Sequence, residues 1–267
     1  MKRLIKVEFK RNFKSLLMWC GIVGGLAALM LAMFPAFKDA FSQLEELLSV
    51  YPEAFLEAFG MGEGGLVMSE IYGWFGVEGY LFTMLIGGSY AGILGGSILS
   101  KEEDDKTIEF LLAKPISRDH IVFGKAIVVV INLTILNAFI SIILLIAFSI
   151  FGTLDVAKWL LFSFAPLLAQ LIFASISFLV SIFITKSRQV ISVSLGVVIG
   201  MYVVDLISKL TDQAENLKYI TPYEYVNAVT IVNEKKIEPL YLLISVLVIA
   251  VTIIASWQLY KKKDITA

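Results

Sequence analysis

Six long apolar segments divide this chain, and each meets the length of about 20 residues that a helix needs to cross a bilayer. They cover residues 16–37, 77–99, 121–151, 159–185, 190–210 and 239–260. Hydrophobic residues make up 58% of the sequence, which leaves too little polar surface for a soluble domain. The sequence therefore predicts an all-α integral membrane protein with six transmembrane helices in a single domain, residues 1–267.

The basic residues indicate how these helices are oriented. Most of the 22 lysines and arginines fall in the N-terminal segment, in the segments after the second and fourth helices, and at the C-terminus. Acidic residues instead dominate the segment 38–76. Because basic loops stay on the cytoplasmic side, the sequence predicts a multi-pass protein with both termini in the cytoplasm. The segments 38–76 and 211–238 are then external.

The segments outside the six helices carry helical patterns of their own. Residues 1–15 predict either an amphipathic helix on the membrane surface or a basic flank that sets topology, because apolar side chains recur at helical spacing at Ile5, Phe9, Phe13 and Leu16. The segment 38–76 predicts short external helices, with Pro52 in a first turn and Gly60 as a C-terminal cap. The segment 211–238 is long enough for a re-entrant or an interfacial hairpin.

Glycines recur at four-residue spacing in two of the predicted helices. The second helix carries Gly88, Gly92 and Gly96, and the fifth carries Gly196 and Gly200. Small residues at this spacing let helix backbones approach closely in a membrane. The pattern predicts helix packing within one subunit or, alternatively, a homodimer seam along the second and fifth helices.

Few polar side chains lie within the predicted membrane helices. Asp205 stands one helical turn from Lys209, which predicts a structural ion pair near the outer surface. Asn132, Asn137 and Gln170 either join helices or line a transport pathway. A proton- or sodium-coupled carrier is expected to show more buried carboxylates and broken helices than this chain has.

Several classes of function lack the residues that they require. His120 is the only histidine, so no metal site built from several histidines is possible. Glu102 and Glu103 resemble the paired glutamates of intramembrane proteases, but Thr107 stands where those enzymes have arginine. The G-x-x-x-x-G-K-[ST] phosphate loop is absent. We therefore expect a non-catalytic chain that binds no metal and no cofactor of its own.

The charged segment between the second and third helices, residues 101–120, combines polar and apolar patterns. Four acidic residues stand at the start of a short predicted helix, where the helix dipole favours negative charge: Glu102, Glu103, Asp104 and Asp105. An apolar face on that helix is formed by Ile108, Leu111 and Leu112. Pro115 ends the helix, and Ser117 caps the next one. This arrangement predicts a rigid lever that presents an apolar face to a partner.

The same segment resembles the cytoplasmic coupling segment of type-2 ABC exporter permeases. That family has the pattern G-T-[LI]-E-x-L-L-x-x-P-[IV]-[ST]-R-x(5)-G-K after a preceding glutamate, and this chain reads KTIEFLLAKPISRDHIVFGK after Glu102 and Glu103. The order of six helices, the basic N-terminal segment and the ending LYKKKDI extend the resemblance over the whole chain. One departure is Lys106, where the family commonly has glycine.

The resemblance implies a permease domain that works with partners. Two ABC ATPase subunits are expected to bind ATP and magnesium, and a second permease copy or a paralogue completes the transporter. Contact with the ATPase is assigned to Thr107, Ile108, Glu109, Leu111 and Leu112, next to the motif residues Glu102 and Ser117. Pro115 and Arg118 form a stiff junction. A bacterial cytoplasmic membrane is implied, with membrane lipid and no nucleic acid as surroundings.

The substrate is only broadly constrained. Apolar spans with few polar positions favour export of an amphipathic or hydrophobic substrate, such as a peptide toxin, an antimicrobial peptide, a lipid or a drug. Two alternatives are a secondary carrier or channel, which needs no ATPase, and a sensor or immunity subunit that binds its ligand without moving it.

Overall fold

The computed structural model describes residues 1–48, 51–61, 64–108 and 116–263. Within those ranges the chain is helical and forms no strand. Six helices are long and apolar enough to cross a membrane, as the sequence predicts. We number them span 1 (Lys2–Leu48), span 2 (Ile71–Asp104), span 3 (Arg118–Phe151), span 4 (Val156–Phe183), span 5 (Ser187–Leu210) and span 6 (Pro239–Lys262).

The first turns of span 1 and the end of span 6 lie at the same end of the helix bundle. There Lys263 pairs with Glu103 and the first turns of span 1 contact the end of span 2. We call this end the terminal face. At the opposite face, the Tyr72 hydroxyl donates to the carbonyl of Thr153 (3.0 Å), and Lys235 pairs with Asp155 (2.7 Å). The hydrogen bond from Lys235 lowers the pKa of the Asp155 carboxyl.

Span 1 is one continuous helix, which differs from the predicted boundary at residue 15. The segment 1–15 is not a separate helix, and the helix continues through Pro35 to Leu48. The N-terminal turns pack instead of lying free, with Leu4 and Leu16 buried. A proline inside a helix removes one backbone hydrogen bond. One turn before Pro35, the Trp74 indole donates to the carbonyl of Met30 (2.8 Å) and ties span 1 to span 2.

Spans 2 and 4 form the centre of the bundle. They pack extensively against each other, span 5 packs on span 2, and span 1 packs on span 3. In the most apolar stretch of each helix, the buried share is 61% for spans 2 and 4. The corresponding share is 22% for span 5 and 17% for span 6. Spans 5 and 6 therefore leave most of their apolar surface uncovered by this chain.

The glycines of span 2 pack against other helices of this chain, whereas those of span 5 do not. A Cβ atom on Gly95 would lie 2.3 Å from the Ala174 carbonyl oxygen of span 4, and one on Gly96 would lie 2.6 Å from Val190 of span 5. Gly88 and Gly92 are close to spans 4 and 5 as well. The homodimer seam predicted along span 2 is therefore wrong, because this chain already covers that face. At Gly196 and Gly200, no described atom lies within 4 Å of the added Cβ.

Short helices cover the opposite face. The helix Glu53–Ala58 follows Pro52, and Gly60 adopts the left-handed backbone conformation (φ +75°) that glycine favours after a helix end. The chain between spans 5 and 6 forms 3-10 helices at Asp212–Tyr219 and Glu224–Val226 and the helix Ala228–Glu234.

The segment 220–226 turns back along span 5. The Thr221 hydroxyl donates to the Met201 carbonyl (3.1 Å), and the Tyr223 hydroxyl donates to the Val198 carbonyl (3.2 Å). These carbonyls lie about 14 and 18 Å along the helix from Leu210, at a rise of about 1.5 Å per residue. The segment 220–226 therefore lies beside span 5, and we call it the re-entrant segment; whether it enters the membrane or lies at its surface stays a prediction.

Candidate coupling site

A cluster of charged side chains joins spans 1, 2 and 3 at the terminal face. Glu102 accepts hydrogen bonds from Arg11 Nη1 (2.6 Å) and from Lys125 Nζ (3.2 Å). Glu8 pairs with Lys101 (3.0 Å) and lies 3.5 Å from Lys125 Nζ. We call these five residues the charge cluster. Its members come from the first turns of span 1, the last turn of span 2 and the start of span 3.

The centre of the charge cluster is fully buried. Lys125 is 0% exposed, Glu8 is 2% exposed and Glu102 is 4% exposed. Buried charges are costly unless they are paired and hydrogen-bonded. Here the Lys125 ammonium lies between the two carboxylates and also donates to the carbonyl of Ile98 (2.5 Å). Removing one partner of such a group leaves an uncompensated buried charge, which typically costs about 3–5 kcal/mol.

Span 2 ends in a tight turn that sets the direction of the coupling segment. The backbone N–H of Thr107 donates to the carbonyl of Glu102 (2.9 Å), and that of Lys106 donates to the carbonyl of Glu103 (3.2 Å). This pair of bonds is the Schellman motif, which needs a left-handed residue just past the helix end. Lys106 adopts that conformation (φ 55°), so the departure from the glycine of the resembling family preserves the turn.

The first residues of the coupling segment are anchored inside this chain. The Thr107 hydroxyl donates to Glu102 Oε2 (2.5 Å), and Ile108 is only 2% exposed. This chain buries Glu102 and Ile108 in this arrangement, and the predicted contacts with the ATPase stay predictions. The other predicted contact residues, which are Glu109, Leu111, Leu112 and the junction residue Pro115, lie outside the described residues.

Where the coupling segment ends, span 3 is attached to span 6. The Ser117 side chain accepts a hydrogen bond from the N–H of His120 (3.3 Å), which confirms it as the cap of span 3. The Arg118 guanidinium donates to the carbonyls of Tyr260, Lys261 and Lys263 at 2.8–3.2 Å. A helix leaves its last carbonyls without partners, so Arg118 caps the end of span 6.

Two further contacts extend this network to spans 5 and 6. Asp104 accepts a hydrogen bond from the N–H of Ser187, the first residue of span 5 (3.1 Å). Lys263 pairs with Glu103 (2.7 Å). The two ends of the coupling segment are thus tied to spans 1, 3, 5 and 6 as well as to span 2.

The three amides predicted as pathway or helix-joining residues are buried in the bundle. Asn132, Asn137 and Gln170 are each 0% exposed. The Asn137 amide donates to Gln170 Oε1 (2.6 Å) and joins span 3 to span 4. The Tyr90 hydroxyl donates to Asn132 Oδ1 (3.4 Å) and joins span 2 to span 3. In this arrangement all three residues act as contacts between helices.

Sequence reasoning missed Glu8, Arg11 and Lys101 as members of the site. Many charges lie near the membrane ends of this chain, and periodicity does not indicate which of them become buried. One available signal was Glu8, a single acid in a strongly basic N-terminal segment. Lys125 was present in the resembling pattern but carried no predicted role.

Residues 4–265 match the family model described as ABC-2 family transporter protein. The chain belongs to this ABC-2 transporter family. Comparison with curated protein sequences gives no significant match. ABC-2 members are the membrane permeases of ABC transporters and are typically non-catalytic, and membership implies an ABC ATPase as partner.

Proposed function

We propose that this chain is the permease of an ATP-driven exporter that moves an amphipathic or hydrophobic substrate out across the bacterial cytoplasmic membrane. Separate ATPase subunits, two in the complete transporter, bind ATP and magnesium and hydrolyse the ATP. The observation that carries the proposal is the charge cluster, because it attaches the start of the coupling segment to three spans through buried ion pairs.

Force from the ATPase would enter through the segment 109–115, with the terminal face in the cytoplasm. Both ends of this segment are held, by the turn at Lys106 on one side and by Ser117 and Arg118 on the other. Closure of the ATPase pair would therefore move the attached spans together. Such a movement biases the bundle between two arrangements, as expected when ligand binding at one site shifts a bistable element.

A second permease copy is proposed to pack on span 5. The residues Val193, Gly196, Gly200, Val203 and Ile207 recur at three- and four-residue spacing and are exposed on one side of that helix. Small residues at such a position let a neighbouring helix approach closely. This exposed stripe supports the fifth-helix part of the predicted dimer seam.

The proposed substrate class is supported by an apolar groove near the terminal face. The groove has a volume of about 330 Å³ and lies between spans 3, 4 and 6, with Phe123, Ile127, Val130, Phe178 and Ile253 among its lining residues. Pockets with mainly apolar walls bind apolar groups. A lipid chain or the apolar side of a peptide would fit such a groove.

The test is co-purification of the ATPase with variants of the segment 109–115. The double change Leu111→Asp and Leu112→Asp should detach the ATPase while the permease stays inserted, because charges on a docking face must be desolvated on binding. Leu111→Ile with Leu112→Ile is the matched control and should retain the partner. Equal recovery of the ATPase with the aspartate variant would contradict the proposal.

A further inference from the structure

We infer that a cavity near the opposite face binds a small organic cation, such as an ammonium or guanidinium group. The cavity has a volume of about 90 Å³ and lies between span 2, span 5 and the re-entrant segment. Its lining includes Tyr80, Tyr202, Asp205, Lys209 and Tyr223. This inference goes beyond the proposed function, because binding at this site requires no ATPase.

One carboxylate oxygen of Asp205, a residue that lines this cavity, lacks a partner. Asp205 is 5% exposed, and its Oδ2 atom accepts a hydrogen bond from Lys209 Nζ (2.8 Å), as the predicted ion pair requires. Its Oδ1 atom is buried and has no hydrogen-bond partner among the described residues. Buried carboxylate oxygens are normally satisfied, because leaving one unpaired is costly. Asp205 is one of the residues that line the cavity, so its carboxylate adds negative charge to the cavity wall.

The charges around the cavity favour a cation. Lys209 Nζ also lies 3.2 Å from Glu224 Oε2, so one ammonium is shared between two carboxylates. The trio of Asp205, Lys209 and Glu224 therefore carries a net charge of −1 when all three groups are ionised. Partly buried charges are weakly screened. A bound cation would bring this local charge to zero.

Aromatic walls favour an organic cation over a hydrated metal ion. The rings of Tyr202 and Tyr223 meet edge to face at 5.7 Å, and Tyr80 lines the same space. The hydroxyls of Tyr80 and Tyr223 donate to the carbonyls of Val226 and Val198, so they are engaged with the backbone. Aromatic faces attract ammonium and guanidinium groups. The volume corresponds to about three water molecules, which admits only the charged end of a larger molecule.

The test measures binding to the purified full chain in detergent, by calorimetry and thermal stability, with methylguanidinium chloride and ethylammonium chloride as probes. Sodium chloride at the same ionic strength is the comparison. Wild type should give saturable binding of both organic cations. Asp205→Asn should weaken binding at least tenfold, because the cavity wall loses the negative charge of this carboxylate. Lys209→Gln should tighten binding severalfold, because it removes the ammonium that competes for Asp205.

Two further variants keep the result decisive. Glu224→Gln, outside span 5, should weaken binding severalfold by bringing the trio to zero net charge, and it answers the question if changes within span 5 prevent folding. Lys261→Gln is the matched control, since Lys261 pairs with Asp119 (3.2 Å) at the terminal face, and it should bind as wild type does. Unchanged binding in Glu224→Gln, equal effects of sodium chloride, or no saturable binding to wild type would each overturn the inference.

Discussion

Glu102 should matter more to the stability of this protein than Lys125, although Lys125 is the more deeply buried residue. Glu102→Gln removes one of two acids from the charge cluster and leaves three bases around Glu8. Its carboxylate lies 2.6 Å from Arg11 Nη1 and 3.2 Å from Lys125 Nζ. At an effective dielectric constant of 20, Coulomb's law gives about 6 and about 5 kcal/mol for these two contacts.

Part of this energy is offset, because the neutral side chain no longer has to be desolvated. The net loss expected on breaking a buried ion pair from one side is about 3–5 kcal/mol. For a chain of this size, about 1 kcal/mol lowers Tm by roughly 2–4 °C. Glu102→Gln should therefore lower Tm in detergent by about 6–20 °C.

Lys125→Met is the decisive comparison. It leaves two acids and two bases, still paired as Glu102 with Arg11 and Glu8 with Lys101. It also removes the most buried charge, so the loss should stay below about 2 kcal/mol. Glu234→Gln, which disrupts an exposed pair with Lys236, should leave Tm unchanged. If Lys125→Met lowers Tm as much as Glu102→Gln does, the reasoning is refuted.

Three other changes test separate parts of the structure. Lys106→Gly should stabilise the protein by about 1 kcal/mol and raise Tm, because glycine adopts φ 55° without steric conflict; a lower Tm would contradict the Schellman turn. Gly95→Leu should prevent stable folding in detergent, whereas Gly200→Leu should fold and weaken chemical crosslinking between permease copies; equal folding defects would argue against the packing described for span 2. In a Cys20→Ser background, a membrane-impermeant maleimide added to intact cells should label Lys236→Cys but not Lys262→Cys, and the reverse pattern would invert the topology.

The six spans were predictable because hydropathy is a local property of the sequence. Their ends were less predictable, since span 1 continues past residue 15 and through Pro35 by packing on other helices. Periodicity identified Ile108 as apolar, but it does not say whether this chain or a partner covers the side chain. The same limit applies to the glycines. Gly92 and Gly200 follow the same spacing, yet only Gly92 meets neighbours from this chain.

The charge cluster could not be predicted from the sequence, for a related reason. Glu8, Lys101 and Lys125 lie far apart in the sequence, and their pairing depends on how spans 1, 2 and 3 are placed. The Asp205–Lys209 pair was predictable because both residues lie on one helix, four positions apart. Glu224 joins that pair only through the re-entrant segment, whose course the sequence did not determine.

The re-entrant segment limits the freedom of span 5 to move. Thr221 and Tyr223 bind main-chain oxygens of Met201 and Val198, and these oxygens turn with the helix when it rotates about its axis. A shift by one residue would rotate them by about 100° and break both bonds. Span 5 and residues 220–226 therefore form a single mechanical unit, because rotation of the helix alone would break both hydrogen bonds. Any opening of the bundle at this end would swing that unit as a whole.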